Sequence, residues 1–194
     1  MSTEVRASGT RLLLASACSR ALPPSLVLAI LVLLSGIRAE LGASGVAALL
    51  AGIVVVPVVL YKGSKGFVRR RGLPDRLRVQ LLAVLTLASA AACFLIPVAA
   101  PVPLTVAALF VGNAGLVFVR RWLNVSAHVS VITFAALWMV FSFGDAWAWL
   151  PVLTPLMIFS RVTLREHTLS EALSGAALGL ATFGCFLTAT AWSS

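Results

Sequence analysis

A chain of 194 residues that is 60% hydrophobic and only 11% charged is too apolar for a soluble globular domain, in which charged residues run nearer a quarter. Its net charge of +9 comes with no aromatic platform and no nucleic-acid-binding motif, which argues against nucleic acid as a partner. The composition predicts an all-α integral membrane protein, a polytopic transmembrane helical bundle forming one domain over residues 1–194. Backbone groups in lipid must be satisfied within each segment, and the apolar runs are too long and continuous for barrel strands.

Residues 1–21 carry Arg6, Arg11 and Arg20. The run RLLLASACSR is too short, and too soon interrupted by Arg20, for a signal-peptide core, so this segment is expected to be retained on the cytoplasmic side. Apolar spans are predicted near 22–38, 42–61, 79–98, 102–119, 126–144, 147–160 and 168–190, at lengths that suit a hydrocarbon core of roughly 30 Å. The fifth and sixth can form one broken unit around Gly144, giving six or seven spans.

Basic residues are one-sided along this order. They fill the N-terminal segment, the loop 62–78 (Lys62, Lys65, Arg69, Arg70, Arg71, Arg76 and Arg78), and the ends of spans four (Arg120, Arg121) and six (Arg161, Arg165). The opposite connections hold only Arg38 with Glu40, and Asp145. The positive-inside rule then places the N-terminus in the cytoplasm and, with seven spans, the C-terminus outside. The same loop also suits attraction to anionic lipids.

The three cysteines, Cys18, Cys93 and Cys185, lie far apart with no partner at ligand spacing, so neither a disulfide framework nor a metal site is expected. Gly175-x-x-x-Gly179 has the spacing of close helix contacts. The tryptophans lie mostly near span ends, as in interfacial belts.

The chemistry concentrates in 120–171. The chain has two histidines, and both fall at the predicted cytoplasmic boundary: His128 at the start of span five and His167 at the start of span seven. A neutral imidazole can attack phosphorus, a second can protonate the leaving oxygen, and a guanidinium can hold phosphoryl oxygens bidentately. Glu171, four residues beyond His167 on one helix face, can hold the Nδ1 proton and present Nε2. Ionisable groups at a membrane boundary are costly unless paired or wetted, which makes the cluster a site hypothesis.

Ser160-Arg161-x5-His167-x3-Glu171 resembles the third motif of the type 2 phosphatidic acid phosphatase superfamily, normally S-R-x5-H-x3-D. Ser126-Ala127-His128 is similar to that family's second motif, P-S-G-H, and the chain resembles its short bacterial members. The resemblance implies a nucleophilic His167, oriented by Glu171, with His128 as general acid and Arg161, Ser126 and Ser160 binding phosphate, without metal or other cofactor. Glu171 stands for Asp, Ala127 for Gly and Val125 for Pro. For the first motif, K-x6-R-P, the expected place holds Asn113-x6-Arg120-Arg121. Lys62-x6-Arg69 keeps the spacing two spans earlier, and Arg76 lies in PDRLR, which resembles a basic motif of short members. Arg120, Arg121, Arg76 and Lys62 are therefore all candidate phosphate ligands.

Plainer roles compete residue by residue. Thr168-x-x-Glu171 is a capping-box pattern that explains an acid there without catalysis, and Arg165 suits a topology anchor. The expectation is a membrane phosphatase acting on a lipid mono- or diphosphate, such as a prenyl phosphate or a phosphatidate-like lipid, through a phosphohistidine. Two alternatives stand beside it: a transferase or cyclase handling a prenyl diphosphate, and a non-catalytic lipid-phosphate binder. Clustered aspartates typical of metal-dependent prenyl enzymes are missing, since Asp75 and Asp145 stand alone.

Overall fold

The computed structural model describes residues 2–72, 76–95, 98–99 and 101–193, with the side chains of 2–9, 76–80, 82, 83, 86, 90 and 94 outside the description. Among the described residues all regular structure is helical. The helices are α1 Ser2–Ala21, α2 Pro24–Arg38, α3 Ala43–Arg70, α4 Arg76–Leu95, α5 Pro101–Val119, α6 Ala127–Phe143, α7 Leu153–Thr163 and α8 Leu169–Ser193. Three of them, α3, α5 and α8, are long and apolar enough to cross a membrane. The bent pair Thr10–Ala21 and Pro24–Arg38 makes a fourth if it is one span, and α6 is apolar but shorter. Large apolar side chains such as Val59, Val84, Leu95, Phe118, Leu156, Leu173 and Leu180 are exposed. That exterior is a liability in water and an ordinary one against lipid tails.

Local chemistry accounts for where the helices depart from the expected runs. Pro57 lacks an N–H and its ring crowds the carbonyl one turn back, and α3 widens into a π-helical turn over Leu50–Val55 just before it. The same helix continues through Lys62 and Lys65 to end on Arg69 and Arg70, because Lys and Arg are good helix formers and cations suit a helix C-terminus. Much of 62–78 is therefore helix rather than loop. The N-terminal segment is helical as well.

α6 ends at Gly144, whose φ of +84° is open to glycine and costly for other residues. Two short 3-10 turns, Asp145–Trp147 and Leu150–Val152, then lead into α7. At 11 residues, α7 rises only roughly 16 Å and is too short to cross a bilayer core alone.

The chain forms two compact units. One comprises residues 1–27 and 118–183, the other 28–117 and 184–194. In the first, α6 is the central helix, with Val129, Phe134, Trp138 and Ser142 buried and Phe141 exposed. Within it the Thr133 hydroxyl meets that of Thr154 of α7 at 3.2 Å. The start of α8 crosses α6 with glycine at the contact: a Cβ at Gly175 would lie 2.6 Å from the Ser126 carbonyl oxygen, and one at Gly179 would lie 2.5 Å from that of Ser130. The glycine pair thus sets how closely α6 and α8 approach. The second unit has its core at Cys93, Val102 and Val106, with Leu41, Leu49, Ile53 and Phe110 packed around them.

Candidate active site

α7 closes with a Schellman motif, and that closure explains the spacing between Arg161 and His167. Arg165 takes the left-handed conformation (φ 55°). The Glu166 N–H donates to the Arg161 carbonyl at 3.1 Å, and the Arg165 N–H donates to that of Val162 at 3.0 Å. The His167 N–H also reaches the Arg161 carbonyl, at 3.3 Å. The chain therefore folds back over its own last turn, bringing Glu166 and His167 to Arg161. The Glu166 carboxylate forms an ion pair with Arg161 Nη2.

His167 Nδ1 lies 3.0 Å from the backbone carbonyl oxygen of Asn124. A carbonyl can only accept, so Nδ1 carries the proton and the neutral ring keeps its lone pair on Nε2. Glu171 Oε2 is the second neighbour of Nδ1, at 3.4 Å. The same oxygen accepts the Thr168 N–H at 2.9 Å, while the Glu171 N–H donates to Thr168 Oγ1 at 3.3 Å. Both arms of the capping box are thus formed, and Glu171 serves the helix start and the imidazole together.

Ser126 precedes α6 at its N-cap position, yet its hydroxyl makes no capping hydrogen bond. Its Oγ is buried without any hydrogen-bond partner, an arrangement that ordinarily costs about 1–3 kcal/mol. The Ser126 N–H donates to the Glu171 carbonyl at 3.3 Å, which ties the start of α6 to the start of α8. His128, two residues on and half-buried, lies within electrostatic reach of Arg161, Glu166 and His167. Arg161 is only 9% exposed. Its Nη1 donates to Ser19 Oγ at 2.7 Å, and its Nε is buried and unpartnered.

The structure therefore brings together His128, His167, Glu171, Arg161, Ser126 and Ser160, at the N-terminal ends of α6 and α8 and the C-terminal ends of α1 and α7. The two helix N-termini bring partial positive charge, favourable to an anion. Ser160 is fully buried and donates its hydroxyl proton to the Ala15 carbonyl of α1 at 2.6 Å, so it fastens helices. Arg120 and Arg121 follow α5 and are exposed, with the Arg121 guanidinium 5.8 Å over the Phe118 ring. Lys62 is exposed on α3 in the other unit. Arg76 begins α4, and its side chain lies outside the described residues.

Three participants escape sequence reasoning. Asn124 acts through a backbone carbonyl that any residue would supply, so no signal marks it. Ser19 lies on a helix 142 residues away from Arg161. Glu166 stands in plain view beside His167, and only the reversal at Arg165 turns it onto the arginine. Among the described residues, no group of three or more His, Cys, Asp or Glu side chains is placed to hold a metal ion. No family model matches the chain, and no curated protein or solved structure matches it.

Proposed function

We propose that the chain is an integral-membrane lipid phosphate phosphatase of the type 2 phosphatidic acid phosphatase kind, with six or seven spans and with its N-terminus and site on the cytoplasmic face of a bacterial inner membrane. The observation that carries this reading is the meeting of the chain's two histidines around a buried arginine, beside a buried serine hydroxyl that has no partner. Phosphoryl oxygens are the acceptors that Arg161 Nε lacks, and they can take the Ser126 Oγ proton as well.

In this mechanism His167 Nε2 attacks phosphorus and forms a P–N bond as the bond to the lipid oxygen breaks. His128, which takes up a proton as the phosphate anion offsets the charge of Arg161, gives that proton to the leaving oxygen, and the lipid alcohol, or the shorter phosphate, leaves. The Asn124 carbonyl and the Glu171 carboxylate hold Nδ1–H and stabilise the positive ring of the phosphohistidine. His128, now neutral, takes a proton from a water molecule that attacks phosphorus. The P–N bond breaks, inorganic phosphate is released and His167 returns neutral. The small membrane-embedded chain suits an isoprenoid tail at least as well as a diacyl one.

One observation favours a second reading, a lipid-phosphate binder without turnover. The complete capping box gives Glu171 a structural role that needs no catalysis. The deciding experiment is phosphate release in EDTA by detergent-purified protein from a panel of prenyl and glycerolipid phosphates, with His167→Ala alongside. Release by the unaltered chain and loss in the variant, with lipid binding kept, is the expected result. Equal release by both removes the histidine mechanism, and binding with no release by either selects the binder.

A further inference from the structure

An arginine reads an anion through whichever edge of its planar fork is left open, so what holds the other edge decides the orientation of the bound group. At Arg161 the edges are unequally committed. Nη1 donates to Ser19 Oγ at 2.7 Å, Nη2 pairs with the exposed side chain of Glu166, and Nε is buried with no partner. Nε–H and one N–H of Nη2 point the same way and form the edge that takes two oxygens of one phosphoryl group. The tie on the far corner is Ser19.

Ser19 is itself held by design of the helix contact. It lies four residues after Ala15, so both sit on one face of α1. Ala15 is fully buried there and accepts the Ser160 hydroxyl at 2.6 Å. Consecutive residues of α7, Ser160 and Arg161, thus bond to consecutive turns of the same α1 face. The first fastens the helices by a backbone acceptor, and the second sets a charged side chain by a side-chain acceptor.

We propose that Ser19, on the N-terminal helix, is a positioning residue of the phosphate site: it pins Arg161 by Nη1 and turns the Nε and Nη2 edge toward the phosphoryl group, with the Glu166 carboxylate giving way to it. The assignment rests on the phosphate reading of the site. It makes α1 a working part of that site, although none of the sequence motifs lies there. Without the Ser19 acceptor the guanidinium keeps its charge and loses its orientation, so the loss falls on the transition state more than on ground-state binding.

The test compares the full chain with Ser19→Ala, Ser19→Thr and Ser16→Ala, the last a change on the same helix outside the site. Phosphate release from the best lipid of the panel and binding of orthovanadate by calorimetry are both measured. Ser19→Ala is expected to lower kcat/KM about tenfold, mainly through kcat, and to weaken vanadate about as much, the size of one lost hydrogen bond to a charged group. Ser19→Thr, which keeps the hydroxyl, restores most of it, and Ser16→Ala leaves both readouts unchanged. Equal values for Ser19→Ala and the unaltered chain, or an equal loss in Ser16→Ala, overturn the proposal while leaving the phosphatase reading intact. If no lipid releases phosphate, the phosphatase reading fails separately and vanadate affinity alone decides. A tenfold weakening in Ser19→Ala then supports the positioning role. Equal affinity, or no binding by the unaltered chain, removes it.

Discussion

Two stretches of this chain gather positive charge, and they do it in opposite ways. The end of α3 lines up Lys62, Lys65, Arg69, Arg70 and Arg71, all exposed, with the Arg71 guanidinium resting 5.4 Å over the Phe67 ring. The end of α7 offers Arg161, buried and bonded to Ser19 and Glu166. In water a unit charge at 4 Å is worth only about 1 kcal/mol, and several times more where solvent is kept out. On the proposed reading the crowded stretch would give a diffuse, salt-screened attraction to anionic lipid, and the single buried arginine would give direction. Counting charges along the sequence points to the first, whereas geometry points to the second.

The sharpest way to break this comparison is to change one residue from each stretch. Arg161→Lys keeps the charge and removes the fork, so turnover is expected to fall about 10²-fold, as for loss of a preorganised transition-state donor. Arg70→Gln removes a whole charge and is expected to change turnover less than about twofold, with membrane attraction reduced by about 1 kcal/mol. Phosphate release and binding to anionic vesicles, measured on both variants, check the pair. A larger effect on turnover from Arg70→Gln than from Arg161→Lys would reverse the assignment of the two stretches.

The contrast also marks how far the sequence was legible. Helix positions were, because apolar runs have a length that the bilayer dictates: spans expected near 22–38, 102–119 and 126–144 correspond to Pro24–Arg38, Pro101–Val119 and Ala127–Phe143. The sequence expects His128 and His167 to lie near one another, and His128 is within electrostatic reach of His167. Helicity in residues 2–21 was not legible, since that stretch is neither long nor uniformly apolar. Its helix packs on α7 through Ala15 and Ser19, contacts without local signature. Nor was the Nδ1 partner of His167 legible. The sequence points to the acid four residues on, while the shorter contact is the Asn124 backbone.

The next prediction concerns what brings the buried end together at all. The glycine contacts at Gly175 and Gly179 set the distance between α6, which carries His128, and α8, which opens beside His167. A methyl at Gly179 would meet the Ser130 carbonyl oxygen and the Thr133 Cβ, at 2.5 and 2.7 Å. Both belong to a packed helix and cannot swing aside, so Gly179→Ala is expected to cost about 1–3 kcal/mol of stability. Thermal unfolding in detergent measures it. The same substitution at Gly63 on α3, where an added Cβ meets nothing within 4 Å, is expected to be neutral or slightly stabilising.

Smallest is the effect that separates the two duties of Glu171. Thr168→Ala removes the hydroxyl arm of the capping box, at a cost of about 1 kcal/mol in stability. It leaves the carboxylate beside His167, so turnover per folded molecule is expected to stay within about twofold. Glu171→Gln keeps a side chain able to accept the Thr168 N–H and removes the charge next to the imidazole. Stability then changes little, and turnover falls about tenfold rather than collapsing, because the Asn124 carbonyl, 0.4 Å nearer to Nδ1 (3.0 against 3.4 Å), still fixes the tautomer. Turnover and melting temperature measured on both variants distinguish the duties. If both measurements fell together in each variant, Glu171 would be a cap and nothing more, and the orientation of His167 would rest on the backbone of Asn124 alone.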